Sequence, residues 1–382
     1  QKEGKFDYIT PRAPKGEKPY RFNWQTPILL SSHNQDILYM GSEFLHRSMN
    51  QGETWERISG DLTNGAKEGN VAFGTLTTIS ESKFQFGLLY VGSDDGKIHV
   101  SKDGGASWQL ISGNLPQNLW VSRVAASTHK KERVYATLNG YRNDNFESYA
   151  FVSEDFGATW NPISNGLTEA VNVIVEDSAN ENILYVGTDN GLFISLDKGI
   201  TWQDFSNGMP KVAVHDAVIQ TKVKELIVGT HGRSLYKIDI SRVQELTKEV
   251  LAKNLHLFKV NDRTKSDRWG TQNYAWGKPS EPSQTIWFYS NGDGMVNVSI
   301  TNGAGMIVHA QKVEAKKGLN SFNFDYSMPK NVADNWNKKD KNIKLKAAEN
   351  QKIYLPVGKY KLTISQDKSS ESKSFEIVNP KK

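Results

Sequence analysis

SEDFGATW, residues 153–160, holds Ser153, Asp155, Gly157 and the Thr159–Trp160 pair at fixed spacing with variable residues between them. Three other stretches repeat the arrangement: SMNQGETW at 48–55, SKDGGASW at 101–108 and SLDKGITW at 195–202. The shared pattern is Ser-x-Asp-x-Gly-x-Thr/Ser-Trp, with asparagine replacing aspartate in the first copy. Its third positions are Asn50, Asp103, Asp155 and Asp197, in steps of 53, 52 and 42 residues. A period of this size marks a stacked or radial array in which each repeat is one small supersecondary unit. The runs before the copies also match. ILYMGSEFLHRS (37–48), LLYVGSDDGKIHVS (88–101) and ILYVGTDNGLFIS (183–195) each show two β-rich runs around a glycine-containing turn. RVYATLNGYRNDNFESYAFVS (133–153) does the same with a longer connection. Val, Ile, Leu, Tyr and Phe bounded by Gly, Asn and Asp form the strand-and-turn signature.

An aspartate two residues before a glycine fits a tight turn, in which the carboxylate accepts backbone N–H groups and the glycine takes positive φ. Ser48, Ser101, Ser153 and Ser195 end one strand, Gly52, Gly105, Gly157 and Gly199 turn the chain, and Trp55, Trp108, Trp160 and Trp202 begin the next strand. Each indole offers a large apolar surface for packing between neighbouring units. A catalytic carboxylate is unique and converges with a partner; four near-copies, one of them Asn50, do not share that role. The expectation is a fold-defining turn whose aspartates lie away from any ligand cleft.

The pattern resembles the Asp-box, or bacterial neuraminidase repeat, of sialidases, sortilin-type receptors and xyloglucanase-type glycoside hydrolases, all of them β-propellers. The closer resemblance is to bacterial sortilin-like repeat proteins, a group often labelled glycosyl hydrolase. It is carried further by YRFNWQTPILLS (20–31), ISGDLT (58–63), VSRVAASTHKKERVYATLNGYRND (121–144) and VGTHGRSLYKID (228–239), and covers essentially residues 18 to 260. The resemblance implies an all-β fold of Asp-box propeller blades, without fixing one activity. Strand pairs centred near Tyr39, Tyr90, Tyr135, Tyr185 and Ile227 give about five units, the fifth without a box.

Composition agrees. A chain of 382 residues accommodates two or three domains, and 37% hydrophobic with 23% charged residues is that of a globular protein. There is no cysteine, which excludes disulfides, thiolate metal sites and a cysteine nucleophile. It also separates the chain from animal sortilins, whose propeller precedes a cysteine-rich module. No stretch is long and apolar enough to span a bilayer as a helix. The net charge of +5 is mild, and no Arg/Lys stripe interleaved with aromatics marks a nucleic-acid surface.

After Asp239 the period changes. ISRVQELTKEVLAKN (240–254) places Val243, Leu246, Val250 and Leu251 at helical spacing, which predicts a linker helix. Short strands are predicted at 285–290, 295–301, 306–313, 319–326, 352–357, 359–365 and 372–378, with NGAG at 302–305 as a hairpin turn. Seven strands in about a hundred residues indicate an immunoglobulin-like β-sandwich. VNVSITNGAGMIVHAQKV and LPVGKYKLTI resemble the accessory sandwich at the ends of many secreted bacterial proteins. The Lys- and Asn-rich stretch 331–352 is expected to be a solvated loop. The expected organisation is therefore a propeller over 1–240, a linker helix over 241–255 and the sandwich over 256–382.

Glycoside hydrolysis needs two carboxylates at about 5 Å for retention or about 6.5–9.5 Å for inversion. Outside the boxes the candidates are Asp94, Asp95, Asp144, Glu147, Asp177, Asp189 and Asp216. Asp94 and Asp189 open equivalent hairpin turns. Asp144 and Glu147 fall in YRNDNFES, which exceeds the turn it replaces, and loops longer than structure requires tend to carry binding. His231 and Arg233 in VGTHGRS together suit an anion, although in the resembling group this segment closes the last blade. No metal-ligand motif and no cofactor is indicated.

The expected function is recognition or scaffolding at a bacterial surface, extracytoplasmic and secreted or on the outer membrane, with protein, peptide or glycan as ligand. The alternative is a glycoside hydrolase whose cleft is shared with an N-terminal half. The chain opens at Gln1 with neither initiator Met nor signal peptide, so a mature, processed or fragmentary chain is expected. QKEGKFDYITPRAPKGEKPYRF (1–22) reads as a connection arriving from elsewhere rather than as a closing strand. The expected partner of the first and last units is the N-terminal propeller half of the same protein or another chain. Five blades closing on themselves is the alternative.

Overall fold

A computed structural model describes residues 8–69, 72–206, 208–272, 274 and 276–380. The chain divides into two compact units between Gln244 and Glu245. The first unit is a succession of antiparallel meanders. Sheet one contains β1 (Ile28–Leu30), β2 (Leu38–Gly41), β3 (Leu45–Ser48) and β4 (Glu56–Arg57). Sheet two contains β5 (Leu76–Glu81), β6 (Leu89–Ser93), β7 (Ile98–Ser101) and β8 (Gln109–Leu110). Sheet three contains β9 (Trp120–Ala126), β10 (Val134–Gly140), β11 (Asn145–Ser153) and β12 (Asn161–Pro162). Sheet four contains β13 (Val171–Glu176), β14 (Leu184–Thr188), β15 (Gly191–Ser195) and β16 (Gln203–Asp204). Sheet five has three strands, β17 (Val214–Gln220), β18 (Glu225–Thr230) and β19 (Leu235–Asp239), and is followed by α1 (Ser241–Gln244).

Strand alternation sends successive side chains to opposite faces, so a sheet clad on both sides must be apolar on both. β6 and β14 are buried along their whole length for this reason. Tyr39 and Leu45 of sheet one share a core with Leu76, Leu89 and Val91 of sheet two. Tyr90 and Ile98 then meet Val121 and Val134 of sheet three, while Tyr135 and Ala150 meet Val171 and Leu184 of sheet four. This sheet-on-sheet succession is a β-propeller.

The repeated turns fasten these seams. In the third, Ser153 Oγ donates to Asp155 Oδ1 (2.7 Å) and accepts from the buried N–H of Gly157 (2.7 Å). Asp155 Oδ1 also accepts from Thr159 N (2.9 Å). Asp103, Asp197 and, through its amide oxygen, Asn50 accept the corresponding N–H groups at the same 2.9 Å. Gly157 has φ +88°, and a β-carbon there would lie 2.3 Å from Ile111 of the preceding sheet. The indole N–H of Trp160 donates to the carbonyl of that same Ile111 (2.7 Å). Trp108 and Trp202 reach Ile58 and Ile163 in the same way, at 2.9 and 2.6 Å. One turn thus contributes a glycine socket and an indole hook to the sheet before it.

The second unit has two sheets around one core. β20 (Leu255–Leu257), β22 (Gln284–Ser290) and β25 (Gly318–Phe324) form the smaller. β21 (Arg263–Thr264), β29 (Ser369–Val378), β28 (Gly358–Gln366), β23 (Gly294–Asn302) and β24 (Ile307–Ala315) form the larger in that order. Phe288 and Phe324 from one sheet and Val298, Ile364 and Phe375 from the other belong to a single buried cluster. A third pair joins β26 (Ser327–Met328) to β27 (Ile353–Tyr354).

Several expectations are corrected. The single linker helix over 241–255 is replaced by α1 and a separate one-turn helix α2 (Lys248–Leu251). Thr247 stands between them as N-cap, its hydroxyl accepting from Val250 N, and a capping side chain starts a helix rather than continuing one. The expected loop at 331–352 contains the helix α3 (Lys330–Lys339), which starts beside Pro329. Ala333 of α3 is buried, and Val332 and Trp336 pack on the core. Asn337 fixes the return chain by bonding both N and O of Leu345 (2.8 and 3.0 Å). The strand expected at 352–357 is only the two residues of β27.

Candidate functional site

All five sheets of the first unit send their first strands to one hollow of about 600 Å³. Leu29 of β1, Thr77 and Ile79 of β5, Trp120 and Arg123 of β9, Asn172 of β13, and His215 and Asp216 of β17 line it. Tyr141 and Arg142, from the turn after β10, and His231, from the turn after β18, complete the rim.

Much of the wall is tied down. Ser122 Oγ donates to Val171 O (2.7 Å), and Thr77 Oγ1 donates to Val121 O (2.6 Å), so hydroxyls lock β5 to β9 and β9 to β13. Asn139 Nδ2 donates to Asn172 Oδ1 (2.6 Å), and Asn172 Nδ2 donates to Asp189 Oδ1 (2.8 Å). Arg123 is ion-paired with Asp216, joining sheets three and five. What stays available is cationic and aromatic. The Arg142 guanidinium lies 4.0 Å over the Trp120 ring and 4.5 Å from the Tyr141 ring centre. It has no carboxylate partner among the described residues. A guanidinium held flat on aromatic faces keeps its edge N–H donors free. His215 and His231 lie 5.2 Å apart. Burial pulls His215 below the usual imidazole range, and neighbouring His231 and Arg142 pull it the same way.

Of the residues expected to bind, His231 reaches this hollow, while Arg233 is exposed and absent from the lining, so the pair does not converge. Asp144 and Glu147 are not in an extended loop. Tyr141–Asn143 form a 3-10 turn, Asp144 closes it at φ +54°, and Gly140 pairs with Asn145, so the excess length went into longer strands. Glu147 lies on β11 and accepts from Tyr149 OH (3.0 Å). Asp94 is buried and accepts from Gly74 N (2.9 Å), Thr75 N (3.0 Å) and Thr75 Oγ1 (2.7 Å). Burial pushes its pKa up against those bonds. Asp95 accepts from Asn64 N (2.6 Å), and Asp177 from Gln244 of α1 (3.0 Å). These carboxylates hold segments together. Trp120, Tyr141 and Arg142 of sheet three meet His215 of sheet five here, a grouping that no local stretch of sequence shows.

A larger hollow, about 1050 Å³, follows the seam between sheets one and two. Its acids are committed: Glu56 to Arg47 (2.9 Å), Asp61 to Arg21 (2.7 Å) and Asp103 to its own turn. Among the described residues no group of three or more His, Asp or Glu is placed to hold a metal ion. No helix among them is long and apolar enough to cross a membrane.

Residues 43–169, within the β-propeller of the first unit, match the family model described as "Sortilin, neurotensin receptor 3" (Sortilin-Vps10), so this stretch is sortilin-like. No curated protein matches the chain. Among solved structures it is similar to the GH74 xyloglucanase from Xanthomonas campestris (12% identity, TM-score 0.46, covering 94% of this chain and 55% of that one). PorZ, an essential bacterial surface component of the type-IX secretion system of Porphyromonas gingivalis, gives 16% identity, TM-score 0.43 and coverages of 92% and 51%. YCF48 bound to D1 peptide gives 14% identity, TM-score 0.41 and coverages of 59% and 66%. The chain thus spans about half the length of the first two.

Proposed function

We propose that this protein is a non-catalytic recognition or scaffold module of the Asp-box propeller type, with an immunoglobulin-like second domain, working at a bacterial surface. Its ligand is a protein or peptide segment rather than a sugar polymer, bound at the hollow walled by Trp120, Tyr141, Arg142, His215 and His231. The observation that carries this reading is the Arg142 guanidinium, stacked on Trp120 and Tyr141 with no carboxylate partner among the described residues. Such a group suits a carboxylate or an aromatic side chain. Among the described residues Asp216 is the only acid of the lining, and it is engaged by Arg123, whereas glycoside hydrolysis needs two carboxylates with separate roles.

The test is a peptide array and a panel of soluble polysaccharides, xyloglucan included, read for both binding and release of reducing ends. Peptide binding lost in Arg142→Glu, with no reducing ends from any polysaccharide, is the expected result. Reducing-end release that Asp216→Asn abolishes would overturn the reading in favour of the glycoside hydrolase.

A further inference from the structure

Charge is divided unevenly along the chain. Residues 245–382 hold 23 Lys and Arg against 14 Asp and Glu, a net charge of +9, so the first unit stands at −4 although the whole chain carries +5. An excess of one sign within one compact unit draws partners of the other sign. Some of these cations are paired: Lys352 with Glu281 and Asp325, Lys253 with Glu371, and Lys359 with Glu376.

Three that have no ion pair among the described residues, Arg263, Lys265 and Arg268, share one hollow of about 670 Å³ formed by DRTKSDRW (262–269) and Pro380. That volume lies in the range of small-ligand clefts. β21 is the edge of the larger sheet and runs parallel to the end of β29, and Lys265 N continues the pairing by donating to Val378 O (2.8 Å). Alternate residues of an extended strand share a side, which puts Arg263 and Lys265 on the same side of that edge. The chain then turns, Trp269 N donating to Ser266 O (3.2 Å), and brings Arg268 to the same hollow. Both arginines are exposed.

The Lys265 ammonium lies 4.4 Å over the Trp269 ring and donates to Leu355 O (2.9 Å). Burial pulls its pKa down, with Asp267 as the opposing influence. A half-buried ammonium without a carboxylate contact is costly until an anion joins it. Of the two acids in the lining, Asp262 accepts from Glu376 N (2.7 Å) and Asp267 is exposed. Thr264 is exposed as well, and Ser266 Oγ accepts from Arg268 N (3.2 Å), which leaves its hydroxyl hydrogen to donate. The adjoining chain adds charge of the same sign. Asn350 N donates to Gly270 O (3.1 Å) and Gln272 N to Glu349 Oε2 (2.9 Å), tying 349–350 to the end of this segment. Just before that tie, Lys338, Lys339, Lys341, Lys344 and Lys346 are all exposed, against one acid, Asp340, which accepts from Asn342 N (3.0 Å).

We propose that the hollow of residues 262–269 binds an anionic polysaccharide, its carboxylate, sulfate or phosphate groups received by Arg263, Lys265 and Arg268 and its hydroxyls by Thr264 and Ser266. Guanidinium groups take such oxyanions through paired N–H donors. Trp269, the one aromatic residue of the lining, is buried, so no exposed ring is present for a base to stack on. Among the described lining residues there is also no exposed large apolar side chain to enter a lipid layer. The proposal concerns the second unit alone and does not rest on the reading of the propeller hollow.

The test is isothermal titration of the 382-residue chain with dextran sulfate and with alginate, unmodified dextran being the neutral control. Both polyanions are expected to bind and dextran is not, with affinity falling as salt rises. Arg263→Glu combined with Arg268→Glu is expected to weaken binding by about tenfold or more. Lys312→Glu combined with Lys361→Glu, at exposed positions of β24 and β28, changes the net charge equally and is expected to shift affinity by less than about threefold. Arg263→Gln with Arg268→Gln should give a milder loss in the same direction, which keeps the test decisive if the charge reversal fails to fold. Equal weakening by the two reversals would overturn the proposal in favour of diffuse charge, and failure of both polyanions to bind would overturn it outright. Tighter binding to poly-glutamate or to phosphatidylglycerol vesicles than to either polysaccharide would overturn the ligand class.

Discussion

Sheets one to four end in the Ser-x-Asp or Ser-x-Asn turn, and sheet five does not. In all four a serine accepts the glycine amide within the turn, and in sheets two to four a glycine socket and an indole hook secure the sheet to its predecessor. Sheet five leaves β19 directly into α1, and Gln244 at the end of α1 bonds back to Asp177 of sheet four (3.0 Å). A terminal blade with no turn is fastened by a helix instead. The aspartates bond within their turns while glycine and indole cross the seam, so the turn as a unit attaches sheet to sheet, and damage to a turn is expected to loosen two sheets rather than one loop.

The comparison breaks most sharply at glycine. Gly157 and Gly166 share φ near +88° (88° and 89°), but only Gly157 faces a neighbour, Ile111, while nothing lies within 4 Å of Gly166. Gly166→Ala costs only the left-handed backbone, about 1–2 kcal/mol. Gly157→Ala adds overpacking against sheet three's predecessor, about 1–3 kcal/mol more. Urea denaturation of the two variants should differ accordingly; equal midpoints would show that the socket does not hold the seam.

Serine comes next. Ser153 Oγ is the partner of the buried Gly157 N–H (2.7 Å) and orients Asp155 (2.7 Å). Ser153→Ala leaves that amide unpaired, for an expected loss of about 1–3 kcal/mol. Hydrogen exchange at the Gly157 amide should accelerate in the same variant, and unchanged protection would place the amide's partner elsewhere.

How far these features were legible in the sequence depends on how local they are. The four turns and the strand pairs before them are runs of adjacent residues, and each run reads alone. Helix α3 was hidden by its Lys and Asn content, although Val332, Ala333 and Trp336 mark one apolar face three and four residues apart. Of the hollow's lining, only His231 and Asp216 are legible as candidates in the sequence. Trp120 and Arg142 belong to sheet three and His215 to sheet five, and nothing in the local sequence of any one of them points to the other two. The stretch holding Asp144 and Glu147 reads as a loop because sequence length alone does not distinguish a longer connection from longer strands, and here it extends the strands.

The tyrosines that recur before the turns sharpen the comparison between seams. Tyr135 OH donates to Glu176 Oε1 (2.8 Å) and Tyr39 OH to Glu81 Oε1 (3.0 Å), each across a seam. Tyr90 OH is buried with no partner. At the register of Glu81 and Glu176, sheet three has Ala126. Tyr135→Phe therefore removes one hydrogen bond from a buried carboxylate that keeps Ser127, Thr128 and Arg133, and should cost about 1.5–3 kcal/mol, while Tyr90→Phe removes an unpaired hydroxyl and should be neutral or slightly stabilising. A matching loss in both would mean that Tyr90 has an unseen partner.

The smallest effect separates the charged seam between sheets three and four from the others. Arg133 is nearly buried and touches Glu154 (2.7 Å), Glu181 (3.1 Å) and Glu176 (3.3 Å). Lys198 also reaches Glu181 (2.8 Å). Hydrogen bonds from Lys198 and then Arg133 hold Glu181 down to about 2. Burial raises Glu154, but bonds from Lys130 and Arg133 outweigh it and leave it lowered. A carboxyl depressed in the folded state binds its proton more readily when unfolded, so its contribution is present above the unfolded value of about 4.3 and is lost as pH falls toward 2. Both glutamates are well exposed, and solvent screening limits the Glu181 contribution to about 1 kcal/mol or less. Glu181→Gln should therefore lower the urea midpoint slightly at pH 7, with the gap to wild type closing between about pH 4.3 and 2. Added salt should narrow the gap at pH 7 as well. A difference that persists unchanged at pH 2 would show that Glu181 acts through packing rather than charge.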